Sequence, residues 1–136
     1  MLIPRITGRA LPETIYMISK NSDSAALVDG DLVIADTTAA DGISVKGAGN
    51  TATQLICVGV VSGKDIAVGD FGKVQVFGYH GNVKAIAGVT AGGAIKSGTT
   101  ANSVMLGVTA DDPVAVLGFA ITAVASSRIK AWLRCM

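Results

Sequence analysis

Short apolar segments separated by turn-forming pairs constrain the fold of this chain more than any other feature of its sequence. The pairs Asp29-Gly30, Asp41-Gly42, Gly69-Asp70 and Gly81-Asn82 all precede or follow such segments. Glycine supplies the positive φ that tight hairpin turns need, and Asp or Asn side chains hydrogen-bond to the local backbone. These pairs therefore predict turns, rather than a phosphate-binding or metal-binding loop.

Between the turns, apolar and polar residues alternate with a period of two, which predicts short β-strands. The clearest case is 73–79, where Lys73, Gln75 and Phe77 fall on one face and two valines and a glycine fall on the other. We expect the first face to lie in water and the second in the core. The predicted strands are 14–19, 31–35, 42–46, 54–61, 73–79, 83–87, 104–108, 114–121 and 128–133.

No segment has a sustained helical pattern. Residues 122–136 come closest, because Ile129, Trp132 and Met136 could share a helix face. Charged residues alternate with apolar ones through 128–134, however, so a strand is favoured there. A short helical turn around 37–40 is a further alternative. The chain is therefore expected to be all-β.

The pattern predicts one small domain, a β-barrel or a β-sandwich of short antiparallel strands, and does not separate these two architectures. A length of 136 residues suits one domain with one core. Residues 1–13 contain two prolines and little pattern, so we expect an extended N-terminal arm there and the β domain over 14–136.

Composition limits the contents of the core and the location of the protein. Half of the residues are apolar but only six are aromatic, so the core should consist of Val, Ile, Leu and Ala. Cys57 and Cys135 are too few for a disulfide framework and are expected to be reduced thiols. The longest apolar run, 114–125, is shorter than the ~20 residues of a membrane span. No signal peptide is visible, so synthesis in the cytoplasm and no membrane partner are expected.

Basic residues concentrate at the two ends of the chain. Residues 1–20 and 128–136 carry six basic residues and one acidic residue, whereas 21–127 carries five lysines and nine aspartates. Such asymmetry is typical of a basic surface that meets an acidic partner, although solvated charges near chain ends are an equal alternative. The candidate contact residues are Arg5, Arg9, Arg128, Lys130 and Arg134.

The sequence predicts no catalytic, cofactor-binding or metal-binding residue, and the protein is not expected to be an enzyme. His80 is the single histidine and lies at a predicted hairpin end, where a surface residue is expected. One histidine and two distant cysteines offer neither a zinc site nor an arrangement of nucleophile, base and acid.

Four short segments imitate functional motifs. Residues 59–65 resemble a phosphate-binding loop, but they have three residues between the glycines instead of four, and Asp65 replaces the Ser or Thr that holds magnesium. Residues 47–52 match a relaxed dinucleotide pattern, but β-branched residues follow instead of a helix. Asp111-Asp112 precedes Pro113 and predicts a turn. Residues 128–134 interleave Trp132 with basic residues, as in nucleic-acid binding, or form a charged strand edge; nucleic acid is not an expected partner.

The order of segments resembles that of small capsid decoration, or cement, proteins of tailed bacteriophages. The resemblance covers about residues 28–134 and consists of turn glycines and alternating valines. Its segments are GDLVIAD (30–36), LICVGVVSGKDIAVGDFGKVQVFGY (55–79), VTAGGAIKSG (89–98), LGVTADDP (106–113), LGFAITAV (117–124) and IKAWL (129–133). The carboxyl end is more basic than this pattern requires.

The resemblance implies a small β domain on the exterior of a virion capsid, without catalytic residues or cofactors. It also implies a major capsid protein as partner, a homotrimer, and stabilisation of the head by bridging of its capsomers. An N-terminal arm with Arg5 and Arg9 would fit capsid binding. The alternatives are a fibre-base or host-recognition module, for which few aromatic residues are available, and a small barrel enzyme or carrier domain. Lys64 and Lys96 lie near turns but lack the neighbours of a carrier lysine.

Overall fold

The computed structural model describes residues 13–49, 56–107 and 116–135, and the regular structure of these residues is entirely β. Within them no helix has the length and apolarity to span a membrane. The strands are β1 (Ile15–Asn21), β2 (Leu32–Ala35), β3 (Ser44–Gly47), β4 (Cys57–Val61), β5 (Phe71–Lys84), β6 (Ala94–Ser97), β7 (Val104–Leu106), β8 (Gly118–Ala120) and β9 (Arg128–Arg134).

Five strands form a closed barrel. Their order is β1-β3-β2-β4-β5, and β1 also pairs with β5, which closes the ring. The β1–β3 pair is parallel, and the other pairs of the barrel are antiparallel. Closure leaves these strands without a free edge. The all-β prediction is confirmed, and of its two architectures the chain adopts a barrel with additional strands.

The additional strands extend from the far end of β5. This strand is 14 residues long, and its first half belongs to the barrel. From Phe77 onward it pairs with β9, and the order continues β9-β8-β6-β7. We call this outer part, from the second half of β5 to β7, the second sheet. Residues 1–12 of the predicted arm lie outside the described residues.

Two aliphatic clusters hold these parts together. The smaller fills the barrel, since it takes side chains from all five barrel strands, among them Val33 of β2 and Val61 of β4. The larger lies between the barrel and the second sheet and includes Leu32 and Ile34 of β2 and Val60 of β4. Because β2 and β4 are buried on both faces, their sequences are apolar runs without alternation. The prediction of an aliphatic core is confirmed.

The predicted hairpin between strands 73–79 and 83–87 is wrong. β5 runs without interruption from Phe71 to Lys84, so Gly81-Asn82 lies inside a strand. The pairing with β9 shifts register between His80 and Val83, and this irregularity accommodates one extra residue of β5 without a chain reversal. His80, expected on the surface, is consequently buried.

Three smaller expectations also changed. β6 was not predicted, because its sequence AIKS is short and contains a lysine. Gln75, expected in water, is 2% exposed, and its side-chain amide donates to the carbonyl oxygens of Phe77 and Tyr79. Residues 37–39 form a turn in which the Asp36 carboxylate accepts the Thr38 N–H. The preference for a strand within 122–136 is confirmed by β9.

Candidate functional site

Three of the five candidate contact residues lie on β9. The strand alternates, with Ile129, Ala131 and Leu133 buried beneath it. Lys130 and Arg134 are exposed on its outer side. β9 pairs with β5 on one side and with β8 on the other, so the interpretation of 128–134 as a strand edge is wrong. Arg5 and Arg9 lie outside the described residues.

Arg128 is engaged within the chain. Its Nη1 donates to the carbonyl oxygen of Asp29 at 3.0 Å and lies 3.5 Å from that of Asn82. The guanidinium therefore ties the loop before β2 to the second half of β5. Lys130 and Arg134, by contrast, are exposed on the same strand, so these two are the candidate residues that the structure brings together on an accessible surface.

A polar junction lies where Arg128 meets the barrel. Asn82 Nδ2 donates to Asp29 Oδ2 at 2.9 Å, and the Gly63 N–H donates to Asp29 Oδ1 at 2.8 Å. Burial acts to raise the pKa of Asp29, but the two hydrogen bonds and the nearby His80 and Arg128 outweigh it, so this pKa lies below its usual value. The Asp29 carboxylate thus accepts hydrogen bonds that connect its own loop, before β2, to the loop after β4 and to β5.

His80 completes the junction and is 4% exposed. The Asn82 N–H donates to its Nδ1 at 3.1 Å, so Nε2 carries the proton and donates to the Val61 carbonyl oxygen at 3.0 Å. Burial lowers the pKa of His80, against the opposing effect of the Val61 hydrogen bond and Asp29. The neutral imidazole thus links the backbone of β4 to that of β5 through both of its nitrogens.

The segment that resembles a phosphate-binding loop has a structural role. Gly63 and Lys64 line an open groove of about 620 Å³ beside the start of β5, together with Asp65 and Asp70. The Gly63 N–H, which would bind a phosphate, instead donates to the Asp29 carboxylate. Carboxylates also line this groove, so it does not suit an anion. Asp111-Asp112 and residues 50–52 of the dinucleotide-like segment lie outside the described residues.

Cys57 and Cys135 are thiols that pack, partly buried, against the larger cluster. Burial raises the pKa of Cys57 to about 11. Burial, with the neighbouring Cys57, raises the pKa of Cys135 to about 12. Such thiols are poor nucleophiles at neutral pH. Among the described residues, no group of His, Cys, Asp and Glu could hold a metal ion.

Aromatic side chains accompany the exposed cations of β9. Trp132 is half-buried and meets the Phe77 ring edge-on, with 5.9 Å between ring centroids and 83° between planes. It also pairs across the sheet with Tyr79 and with Phe119. The sequence placed Trp132 between basic residues, but the neighbours from β5 and β8 are brought to it only by the fold.

No protein-family model and no curated protein matches the sequence of this chain. A solved structure matches its fold, that of the head fiber gp8.5 N base in bacteriophage phi29, with a TM-score of 0.56. The match covers 90% of this chain and 96% of that chain, at 18% sequence identity. At this identity the likeness is one of fold, and it extends over nearly the whole of both chains.

Proposed function

We propose that this chain is a structural protein of a bacteriophage head, a decoration protein that binds the outside of the shell and bridges its capsomers. The observation that carries the proposal is the shared fold with the N base of the phi29 head fiber over 90% of this chain. The resemblance of its segments to cement proteins supports the same role from the sequence.

The architecture suits a passive binding role. A closed barrel and a second sheet share the long strand β5, so the domain can transmit load between contacts on different faces. Stable partners bury roughly 1,600 Å² in an interface, and repetition of a modest contact over many symmetry-related sites reinforces a shell without one strong bond. The proposed partner is the major capsid protein, the proposed assembly is a homotrimer on the virion exterior, and no catalytic step or cofactor is involved.

A fibre-base role is the second candidate, and the name of the phi29 neighbour favours it. Both roles require attachment to the head. They differ in what the attached domain carries. A fibre base carries a further part that projects from the head, whereas a cement protein carries none. Reconstructions of heads that carry the protein would distinguish them by the presence or absence of projecting density.

Co-sedimentation with expanded, DNA-free heads that lack this protein tests the proposal. We expect saturable binding at a fixed number of copies per head, and heads that survive higher temperature once saturated. Unexpanded heads and bovine serum albumin serve as the controls for surface and for protein. Absence of saturable binding to expanded heads would contradict a head-surface role.

The arm has its own test. We propose that Arg5 and Arg9 contact the shell, so the double variant Arg5→Gln/Arg9→Gln should bind heads more weakly, by roughly threefold or more for two lost charge contacts. Deletion of residues 1–13 should leave a folded domain that no longer binds. If the deletion variant occupies heads at the wild-type level, the arm does not contribute to binding.

A further inference from the structure

All six aromatic residues of the chain lie on four strands of one continuous sheet, and none belongs to either buried cluster. Four of them are between 39% and 59% exposed, and the other two are half-buried. They are Tyr16 on β1, Phe71, Phe77 and Tyr79 on β5, Phe119 on β8 and Trp132 on β9.

Cross-strand pairs, together with the alternation of side chains along β5, place these residues on the same side of the sheet. Tyr79 and Phe119 are both paired with Trp132, and the ring of Trp132 touches Phe77. On the barrel part of β5, Lys73 Nζ lies 5.5 Å from the centre of the Tyr16 ring. The six aromatic residues, together with the exposed Ile18, Lys73, Lys130 and Arg134, are called the outer aromatic face below.

The exposure of these aromatic residues is not explained by a lack of buried positions in the domain. On the opposite side of β5 and β9, Val74, Ile129 and Leu133 are all at 2% exposure or less. Aromatic side chains contribute more on burial than the valines and alanines that fill both clusters. A group of six aromatic residues, four exposed and two half-buried, in a chain whose core contains none indicates an interaction surface. Its composition of Trp, Tyr, Phe and Arg is that of protein–protein interfaces.

The charges on the face identify the kind of partner. β1, β5, β8 and β9 contain no Asp or Glu, and Lys73, Lys130 and Arg134 are exposed on them. Carboxylates lie at its margins: the exposed Glu13, Asp65 and Asp70 are near the first residues of β1 and β5. Asp29, beside Tyr16 and Tyr79, already accepts hydrogen bonds from Asn82 and Gly63. Two copies joined by this face would set cations against cations, which is unfavourable. A surface that carries carboxylates complements it.

We propose that the outer aromatic face docks on a protein surface whose Asp and Glu residues surround an apolar centre, and that in the head this surface belongs to the shell. The inference rests on the proposed head-surface role and adds the face and the chemistry of its partner. Single-stranded nucleic acid also binds aromatic and basic residues, but there successive bases need free ring faces. Trp132 instead meets Phe77 edge-on, and Ile18 adds aliphatic surface, both of which suit a protein.

Matched variants test the face by co-sedimentation with expanded, DNA-free heads. Lys130→Gln and Arg134→Gln each remove one charge from the face, and their control Lys46→Gln removes one charge from β3. Phe119→Ala is compared with Ile56→Ala, since both side chains are over 40% exposed and Ile56 precedes β4. We expect each face variant to bind heads about tenfold more weakly or worse, and each control to stay within about twofold.

Trp132 supplies a direct reading of the contact, because it is the single tryptophan. Its replacement by 5-hydroxytryptophan gives a label that is excited apart from the tryptophans of the shell. We expect its emission to shift to shorter wavelength and to become protected from acrylamide when heads bind. Circular dichroism and light scattering of every variant establish that fold and oligomeric state are unchanged.

The outcomes separate the two proposals. If the wild-type protein does not bind heads, both the head-surface role and the docking face are wrong. If the wild-type protein binds and the face variants bind equally well, only the docking face is wrong. A face variant that changes the oligomeric state would assign the face to subunit contacts. Binding of the wild-type protein to oligo-dT that the face variants lose would assign the face to nucleic acid, and either result overturns the proposal.

Discussion

The two sides of the second sheet differ in almost every respect. On β9 the inner side carries Ile129, Ala131 and Leu133, which are at most 2% exposed. One residue away, the outer side carries Lys130, Trp132 and Arg134, of which the cations are exposed. The inner side is aliphatic and packs on the outside of the barrel, whereas the outer side is aromatic and basic and faces solvent.

If the outer side binds a partner as proposed, residues for stability and residues for binding lie on opposite sides of the same strand. Because side chains alternate across a strand, a substitution can change one side and leave the other intact. Residues that stabilise the fold should therefore be neutral for binding once the protein is folded, and residues that bind a partner should hardly affect stability. Adjacent positions on β9 provide the test.

The largest effect is expected from Leu133→Ala. The side chain is fully buried, so its truncation should lower the free energy of unfolding by about 2–5 kcal/mol through lost burial and a residual cavity. The adjacent variant Arg134→Ala should change it by no more than about 0.5 kcal/mol. Urea unfolding followed by circular dichroism measures both free energies of unfolding. Equal losses in the two variants would contradict the proposed difference between the two sides.

Gly118→Ala should have the next largest effect. Gly118 has a φ of +146° and a Cβ there would collide with the carbonyl oxygen of Trp132 on β9, so β8 and β9 could not keep their spacing. We expect a loss of about 1–3 kcal/mol. Gly42 also has positive φ, but a Cβ there meets nothing within 4 Å, so Gly42→Ala reports backbone strain alone. A thermal melt in which Gly42→Ala is the less stable variant would contradict the clash at Trp132.

The polar junction predicts a loss of stability in mild acid. The pKa of His80 is lower in the folded protein than its ordinary value of 6.5 because of burial, so below pH 6.5 the unfolded chain binds the proton more readily. Stability should therefore be complete above this pH and fall as the pH drops toward the folded-state pKa. Asp29, Asp36 and Asp41 have lowered pKa values and add a separate loss only below their ordinary value of 3.8.

His80→Gln isolates the first of these losses. Glutamine cannot take up a proton in this range, and its amide can donate to the Val61 carbonyl oxygen in place of Nε2. Thermal melts between pH 7.5 and about 5 should show a decline for the wild-type protein and a flatter profile for the variant. Parallel profiles would mean that His80 does not cause the decline.

The smallest expected effect concerns the two thiols that pack against the larger cluster. With pKa values of about 11 and 12, Cys57 and Cys135 are almost entirely protonated at pH 8. They should react with Ellman's reagent far more slowly than a free cysteine, and at the full rate only in denaturant. A thiol that reacts rapidly in the native protein would contradict its burial beside the larger cluster.

Local sequence patterns predicted what depends on neighbours along the chain. The all-β class, the aliphatic core and the alternation of 128–133 follow from side-chain periodicity and composition, and the structure confirms them. Barrel closure depends on the pairing of β1 with β5 and could not be seen locally. Gly81-Asn82 has the composition of a turn, but its pairing with β9 keeps it in a strand, and His80 is buried as a result.

The candidate site was predictable only in part for the same reason. Lys130, Trp132 and Arg134 alternate along one segment and were visible in the sequence. Phe77, Tyr79 and Phe119 join them through cross-strand pairing alone. Six aromatic residues scattered over 136 positions suggested little capacity for recognition, whereas their position on one face is the basis of the docking surface proposed above.

The most direct test of a head-surface protein with an aromatic docking face is a cryo-EM reconstruction of expanded heads saturated with this chain. We expect density for the β domain on the outside of the shell, with Phe119, Trp132 and Arg134 turned toward acidic residues of the capsid protein. A domain that is absent from the shell, or that is bound with this face toward solvent, would contradict that expectation.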